Sequence, residues 1–223
     1  MKIALIMNKN SYAGREYLSA LKKAKIKVDV LLIGKFNSRN LIEEERCAGL
    51  WKPVPFILLK DFFNVFSFSS LKTEKFLNFI ENQKYDLGIQ GGTGILSEKI
   101  FSKFSLGILN FHPGKLPLYR GCSAPEWQLF EKKDIIATCH LIDSKIDTGP
   151  IISFKTLDPD MRDYYHFRST IYPEISIFLV EQIKKIIRSN GFTKNPKIQD
   201  ESKAIYREYI GSEKIEYLKK IFK

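Results

Sequence analysis

The sequence predicts an α/β protein built on an open, mostly parallel sheet. Three observations carry that prediction. The chain opens as an apolar strand, an amphipathic helix and a second apolar strand, and such a unit implies a right-handed crossover between parallel strands. Residues 2–7 and 28–33 are near-continuous apolar runs, as strands covered on both faces are. Short strand-like runs and helical patterns then alternate over most of the 223 residues.

Each element follows in order. Residues 2–7 read as a buried strand. Tyr17, Leu18, Leu21 and Ala24 give a helical pattern over 14–24, and Val28 to Ile33 forms the second strand. Val54 to Leu59, after Pro53 and Pro55, is the expected third strand. Phe62, Phe63, Phe66 and Phe68 are expected in a loop and in the core. Leu71, Phe76, Leu77, Phe79 and Ile80 space as a helix over 71–83. Asp86 to Gln90 is a short strand ending in Gly91-Gly92-Thr93-Gly94. Ser97 is a candidate N-cap for a helix over 97–103. Gly107 to Asn110 is the next strand, and a Pro- and Gly-rich loop leads to a helix over 125–132. Ile135 to Ile142 and Pro150 to Lys155 are the last strands. Residues 163–189 form a long amphipathic helical region with an expected break near Pro173. A turn or hairpin and a terminal helix, Ile210 to Phe222, complete the chain. The expected division is a catalytic domain over 1–189 and a short C-terminal extension over 190–223.

Hydrophobic residues are 44% and charged residues 27% of the chain, which excludes a disordered tail, a collagen and a coiled coil. No run of about 18 apolar residues exists, so no membrane partner is expected. Cys47, Cys122 and Cys139 are odd in number and widely spaced, the usage of reduced thiols in a cytoplasm. The net charge of +11 favours an anionic partner, although the lysines are scattered rather than blocked.

Asn110 and His112 stand at the carboxyl end of a buried strand, where open α/β sheets place their sites. Side chains two apart in extended chain point the same way. An amide and an imidazolium together suit a developing oxyanion. Asp147, in Asp147-Thr148-Gly149, can orient a histidine and keep it charged, or simply form an Asx turn. Gly91 to Gly94 either offers bare backbone to a planar ligand or an anion, or is a tight turn. His140 lies within a strand pattern and reads as structural; His166 begins a helix and reads as exposed. No metal-ligand spacing occurs, so no metal is expected.

Asn110-Phe111-His112-Pro113, with Leu116-Pro117 and Arg120-Gly121, resembles the Asn-x-His-Pro-x-x-Leu-Pro-x-x-Arg-Gly signature of the folate-dependent formyltransferases. Ile146-Asp147-Thr148-Gly149-Pro150 is similar to that family's second signature, in the same order and at a compatible separation. The resemblance covers residues 2 to about 155. It implies a Rossmann-like open, twisted sheet with helices on both faces, and 10-formyltetrahydrofolate as formyl donor. It implies Asn110, His112 and Asp147 as the catalytic residues. Donor-binding residues under the same resemblance are Gly91, Gly92, Thr93, Gly94, Ile95, Leu96, Ile142, Asp143 and Ile146.

The implied acceptor is a small primary amine, phosphate-bearing, with no nucleic acid involved. Asn8, Lys9, Asn10, Lys115 and Arg120 are the residues expected to meet it. Residues 8–14, the 114–125 loop and the 36–70 region are expected to wall its pocket. Branches of the family differ in their acceptors. Those that formylate initiator methionyl-tRNA carry a further C-terminal domain, whereas only residues 190–223 follow the long helical region here. Those that formylate glycinamide ribonucleotide carry a glycine-rich loop where this chain reads Asn8-Lys9-Asn10-Ser11. By elimination the expected acceptor is a nucleotide-linked amino sugar. The alternatives are purine-pathway glycinamide ribonucleotide formylation and a non-catalytic folate-binding homologue. A cytoplasmic location and a homodimer are compatible with this reading.

Overall fold

The computed structural model describes residues 1–34 and 41–222. Strand β1 (Ile3–Asn8), helix α1 (Tyr12–Lys23) and strand β2 (Asp29–Ile33) form the predicted opening unit. Helix α2 (Leu41–Arg46) and strand β3 (Asn64–Phe68) follow, then helix α3 (Glu74–Gln83) and strand β4 (Leu87–Gln90). Helix α4 (Glu98–Phe101) leads to strand β5 (Ile108–His112). The two-residue strand β6 (Arg120–Gly121), helix α5 (Ala124–Phe130) and strands β7 (Ile136–Leu141) and β8 (Ile151–Thr156) come next. Helix α6 (Tyr164–Ser189), strand β9 (Tyr206–Arg207) and helix α7 (Ser212–Ile221) end the chain.

The main sheet has seven strands in the order β3-β2-β1-β4-β5-β7-β8. β1 to β5 run parallel, whereas β7 and β8 run antiparallel to their neighbours. The chain winds outward from β1 to β3 and then resumes at β4 on the other side. The carboxyl ends of β1, β4 and β5 therefore open on the crevice where such sheets bind ligands.

Strand periodicity builds a core on each face of the sheet. Leu5, Met7, Val30 and Leu109 point to the face covered by Leu18 and Leu21 of α1 and Ile171, Ile175 and Leu179 of α6. Ala4, Ile6, Leu31 and Ile108 point to the opposite face, under Phe76 and Ile80 of α3 and Ile100 of α4. Each of these large side chains contributes about 1.5–3 kcal/mol by leaving water. Helix starts are capped as the sequence suggests for such residue types: Ser11 Oγ accepts from Gly14 N and Asp163 Oδ1 from His166 N. Ser97 stands at the N-cap of α4 in extended backbone, with no side-chain capping bond.

Three local expectations are corrected. Val54 to Leu59 is not a strand; Phe56–Leu58 is a single 3-10 turn, and the third strand is Asn64–Phe68. Pro53 and Pro55 cannot donate to a ladder. Phe66 and Phe68 pack against Phe79 and Phe76 of α3, which draws their strand onto the sheet edge. Helix α6 runs unbroken through Pro173. An interior proline costs about 3 kcal/mol, but Phe167, Ile171, Ile175 and Phe178 bury one stripe on both sides of it, which outweighs that cost. The segment before α7 is not a hairpin, since β9 pairs in parallel with β6.

Of the four aromatics expected in a loop and in the core, Phe66 and Phe68 lie instead in strand β3, while the core half holds: Phe63 and Phe68 are buried, and Phe62 and Phe66 half-buried. All three cysteines are free thiols, with Cys47 and Cys139 buried. Ile210 and Leu218, from the C-terminal residues, join the main core. Among the described residues no helix is long and apolar enough to cross a membrane.

Candidate active site

Strand β5 delivers Asn110 and His112 to the crevice, and the turn after β7 delivers Asp147. His112 Nε2 lies 2.6 Å from the Tyr119 carbonyl, and its Nδ1 faces Asp147 Oδ2 at 3.5 Å. Both ring nitrogens therefore face oxygen acceptors. Asp147 Oδ2 also accepts from the Gly121 amide at 2.9 Å. The three side chains line one cavity.

His140 joins this group, although the sequence reading left it structural. It pairs with Asn110 across β5 and β7. Its Nδ1–H donates to the Leu141 carbonyl at 2.8 Å, which leaves Nε2 as the acceptor for the Asn110 amide N–H at 3.1 Å. Burial lowers the His140 pKa to about 4, against the opposing pull of Asp147. The neutral ring thus fixes which way the Asn110 amide points. One of its two N–H groups is held by His140. Nothing in the local sequence marks His140, because the pairing depends on the reversed direction of β7.

Two cavities meet at these residues. One, of about 190 Å³, is lined by Gly94, Ile95, Leu96, His140, Ile142, Asp143 and Ile146, together with Gln90, Asn110 and Asp147. The other, of about 280 Å³, shares Gln90, Asn110 and Asp147 and adds His112, Tyr17, Tyr172, Glu43, Arg46, Glu126 and Arg168. The first has mainly aliphatic walls and the second is charged.

The charged wall is a buried network. Glu126 Oε1 lies 2.9 Å from Arg46 Nη2 and 2.8 Å from Arg168 Nε. Burial alone would raise the Glu126 pKa, but Arg168 and Arg46 hold the carboxyl below its ordinary value. Burial likewise opposes the charge on Arg168, yet Glu126 and Glu43 raise its pKa. Glu126 Oε2 and Arg168 Nη1 are buried without a hydrogen-bond partner. Helix α2 brings Glu43 and Arg46 to this wall. Trp51 anchors the chain just after that helix, stacking on Tyr172 at 5.1 Å and donating to Glu16. Sequence reading missed this network, since its members come from α2, α5 and α6.

The remaining residues singled out in the sequence fall as follows. Gly91 is buried against β1, with its amide bonded to the Ile6 carbonyl at 2.7 Å. Gly92 (φ 79°) lies over the Ser11 hydroxyl and lines the charged cavity; Thr93 is half-buried. Lys9 and Asn10 are half-exposed in the β1–α1 turn. Asn8 lines a separate cavity with Ser70 and Lys72. Lys115 is exposed. Arg120 departs from its expected place at the acceptor. It is wholly buried, and its guanidinium binds Gln199 and Glu201 instead. Residues 36–40, part of the 36–70 region expected to wall the acceptor pocket, lie outside the described residues. His166 is half-buried and paired with Asp163 at 2.6 Å.

Comparison with known proteins agrees with this fold. The methionyl-tRNA formyltransferase of Thermotoga maritima is 30% identical over 147 residues, covering 65% of this chain and 46% of the relative. The bifunctional polymyxin resistance protein ArnA of Wigglesworthia glossinidia brevipalpis is 29% identical over 119 residues, covering 52% of this chain and 18% of the relative. The chain thus spans less than half the length of these relatives. A sugar N-formyltransferase from a Shewanella species shares the fold at a TM-score of 0.62 and 20% identity, over 93% of this chain and 76% of that one. Glycinamide ribonucleotide transformylase 1 from Symbiobacterium toebii does so at 0.58 and 18%, over 89% and 93%. The formyl transferase family model matches residues 1–163, so the chain belongs to that family of formyl-transferring enzymes.

Proposed function

We propose that this protein moves a formyl group from 10-formyltetrahydrofolate to the primary amine of a nucleotide-linked amino sugar. The observation that carries the proposal is the meeting of an aliphatic cavity and a charged cavity at Asn110 and Asp147. The residues present fit a folate. Ile95 and Ile146 are 75% and 52% exposed, and with Leu96 and Ile142 they offer apolar faces to a flat heteroaromatic ring. A structural neighbour of 22% identity and TM-score 0.55, PseJ from Anoxybacillus kamchatkensis, was solved with tetrahydrofolate and a UDP-linked formamido sugar. Gly94, Ile95, Leu96, Ile142, Asp143 and Ile146 would hold the donor, which supplies an activated formyl carbonyl when bound.

The side chains then have distinct roles. The second N–H of Asn110 would face the formyl carbonyl oxygen as negative charge develops on it, with His112 beside it in the same cavity. Asp147, facing His112, would take the proton of the attacking amine and return it to the departing folate nitrogen as the formyl C–N bond to the donor breaks. His140 orients Asn110. Preorganised donors of this kind do not have to reorganise as the charge forms.

The charged cavity supports a hydroxylated acceptor. Its wall carries three carboxylates, Glu43, Glu126 and Asp147, and two guanidinia, Arg46 and Arg168, so it presents both acceptors and donors. A hydroxyl both donates and accepts, and can serve Glu126 Oε2 and Arg168 Nη1 at once. A phosphate accepts only and would face the carboxylates. An apolar methionyl side chain would leave the buried charges unserved. The acceptor's phosphates are assigned to Lys9 and Asn10 in the β1–α1 turn and to Lys115. The protein acts in the cytoplasm on this reading.

The test is to offer 10-formyltetrahydrofolate with a panel of amines and follow tetrahydrofolate release. Turnover confined to amino-sugar nucleotides is the expected result. Turnover with glycinamide ribonucleotide or methionyl-tRNA instead would overturn the acceptor. Donor binding without turnover on any amine would point to a non-catalytic binding protein.

A further inference from the structure

Asp147 sits in an unfavourable backbone conformation. Its φ of 55° lies in the left-handed region, which residues with a side chain rarely adopt. Something outside the turn must hold it there, and residues after α6 do so from two directions.

Gln199 grips the main chain. Its Nε2 donates to the Asp147 carbonyl at 2.9 Å and to the Gly149 carbonyl at 2.7 Å. Its Oε1 accepts from Arg120 Nε at 3.1 Å and Nη2 at 2.8 Å. Arg120 has only donors and the carbonyls only acceptors, so the amide is locked in one orientation. Gln199 is 6% exposed and Arg120 0%.

Strand β9 fixes the other end. The Arg120 amide bonds to the Ile205 carbonyl at 3.1 Å, and the Cys122 amide to the Arg207 carbonyl at 2.8 Å. Between them, Gly121 (φ 92°) lets Arg207 approach so closely that a Cβ would lie 2.5 Å from its carbonyl oxygen. The Gly121 N–H, set by this pairing, is the donor to Asp147 Oδ2. Gln199 thus holds the backbone of Asp147 while β9 sets the amide that holds its carboxylate.

We infer that residues 199–207 form a brace that positions Asp147 against His112, with Gln199 as its positioning residue. The inference rests on the role proposed above for Asp147. It gives the C-terminal residues a task in the site, and it gives Arg120 one as the link between brace and loop.

The experiment uses the full chain with Gln199→Met, which keeps length and loses every hydrogen bond. Gln199→Glu is the companion, which keeps the Arg120 side but sets a carboxylate oxygen against the two carbonyls in place of the N–H donors. Two measurements are read on each variant that keeps its thermal melt. Amide exchange at Gly121, followed by NMR, is expected to speed up at least about tenfold while β1 and β4 amides stay protected. Tetrahydrofolate release, with the amine the acceptor panel identifies, is expected to fall about 10- to 100-fold in kcat at unchanged KM for the donor. In an Asp147→Asn background the same change is expected to cost less than about twofold, because the brace acts through Asp147. Unchanged Gly121 exchange, or a loss that multiplies fully with Asp147→Asn, would overturn the brace. Full turnover by Asp147→Asn alone would instead remove the catalytic role of Asp147, and the exchange result would still judge the brace.

Discussion

Asn110 and His140 face each other across β5 and β7, and the amide of one donates to the ring of the other at 3.1 Å. A neutral histidine therefore sets the direction of a polar group at the junction of two cavities. That relationship gives the site a pH dependence that the strand pattern alone does not show.

The folded protein should lose stability in acid through His140. Burial lowers its pKa to about 4, below the value of about 6.5 for an unfolded histidine. The unfolded chain therefore binds more protons between those values, so this contribution is fully present above about pH 6.5 and is lost as pH falls towards 4. Urea midpoints of wild type and His140→Gln, measured across that window, should converge as pH falls. Parallel curves would show that His140 is not held neutral.

Removing either oxyanion donor should cost turnover and not folding. Asn110→Ala and His112→Ala are each expected to lower kcat by about 10²–10³. The check is tetrahydrofolate release alongside a thermal melt. Near-normal rates in both variants would dismiss this pair as the reacting centre.

Breaking the Glu126 network should destabilise strongly. Glu126→Gln leaves the buried Arg168 and the half-buried Arg46 with only Glu43, 3.6 Å from each, as a counter-charge, with an expected cost of about 3 kcal/mol. The paired change Glu126→Leu with Arg168→Met should recover much of that loss while removing discrimination among amines. Denaturant titrations of the single and double variants check the first statement, and the amine panel checks the second. A single variant as stable as wild type would contradict the geometry.

The donor cavity should respond at Ile146. The side chain is 52% exposed, so Ile146→Asp should leave the melt nearly unchanged. Covering its exposed apolar surface, roughly 60 Å², is worth about 1.5 kcal/mol, which predicts about a tenfold rise in KM for 10-formyltetrahydrofolate. An unchanged KM would move the folate away from this wall.

Much of this architecture was legible in the residues. The apolar runs over 2–7 and 28–33 marked buried parallel strands, and the strand-end positions of Asn110 and His112 marked the crevice. Local spacing suffices there because side chains two apart share a face. Local patterns failed where burial overrode them. Val54 to Leu59 reads as a strand, but two prolines and the pull of Phe66 and Phe68 onto α3 moved the strand to Asn64–Phe68. Pro173 reads as a break, but the buried stripe on both sides of it kept α6 whole.

The sequence by itself determined the α/β class, the apolar faces and the order of Asn110, His112 and Asp147 along the chain. Only the tertiary structure decided which partners those residues have. His140 reaches Asn110 because β7 runs antiparallel to β5. Glu126 of α5 meets Arg168 of α6 at 2.8 Å and Arg46 of α2 at 2.9 Å. Arg120, a basic residue in a signature loop, is turned inward because Gln199 and Glu201 return from the far end of the chain to bind it. The physical reason is the same in each case. A charged or polar side chain takes its role from the group that satisfies it once water is excluded, and residues distant in the chain supply that group.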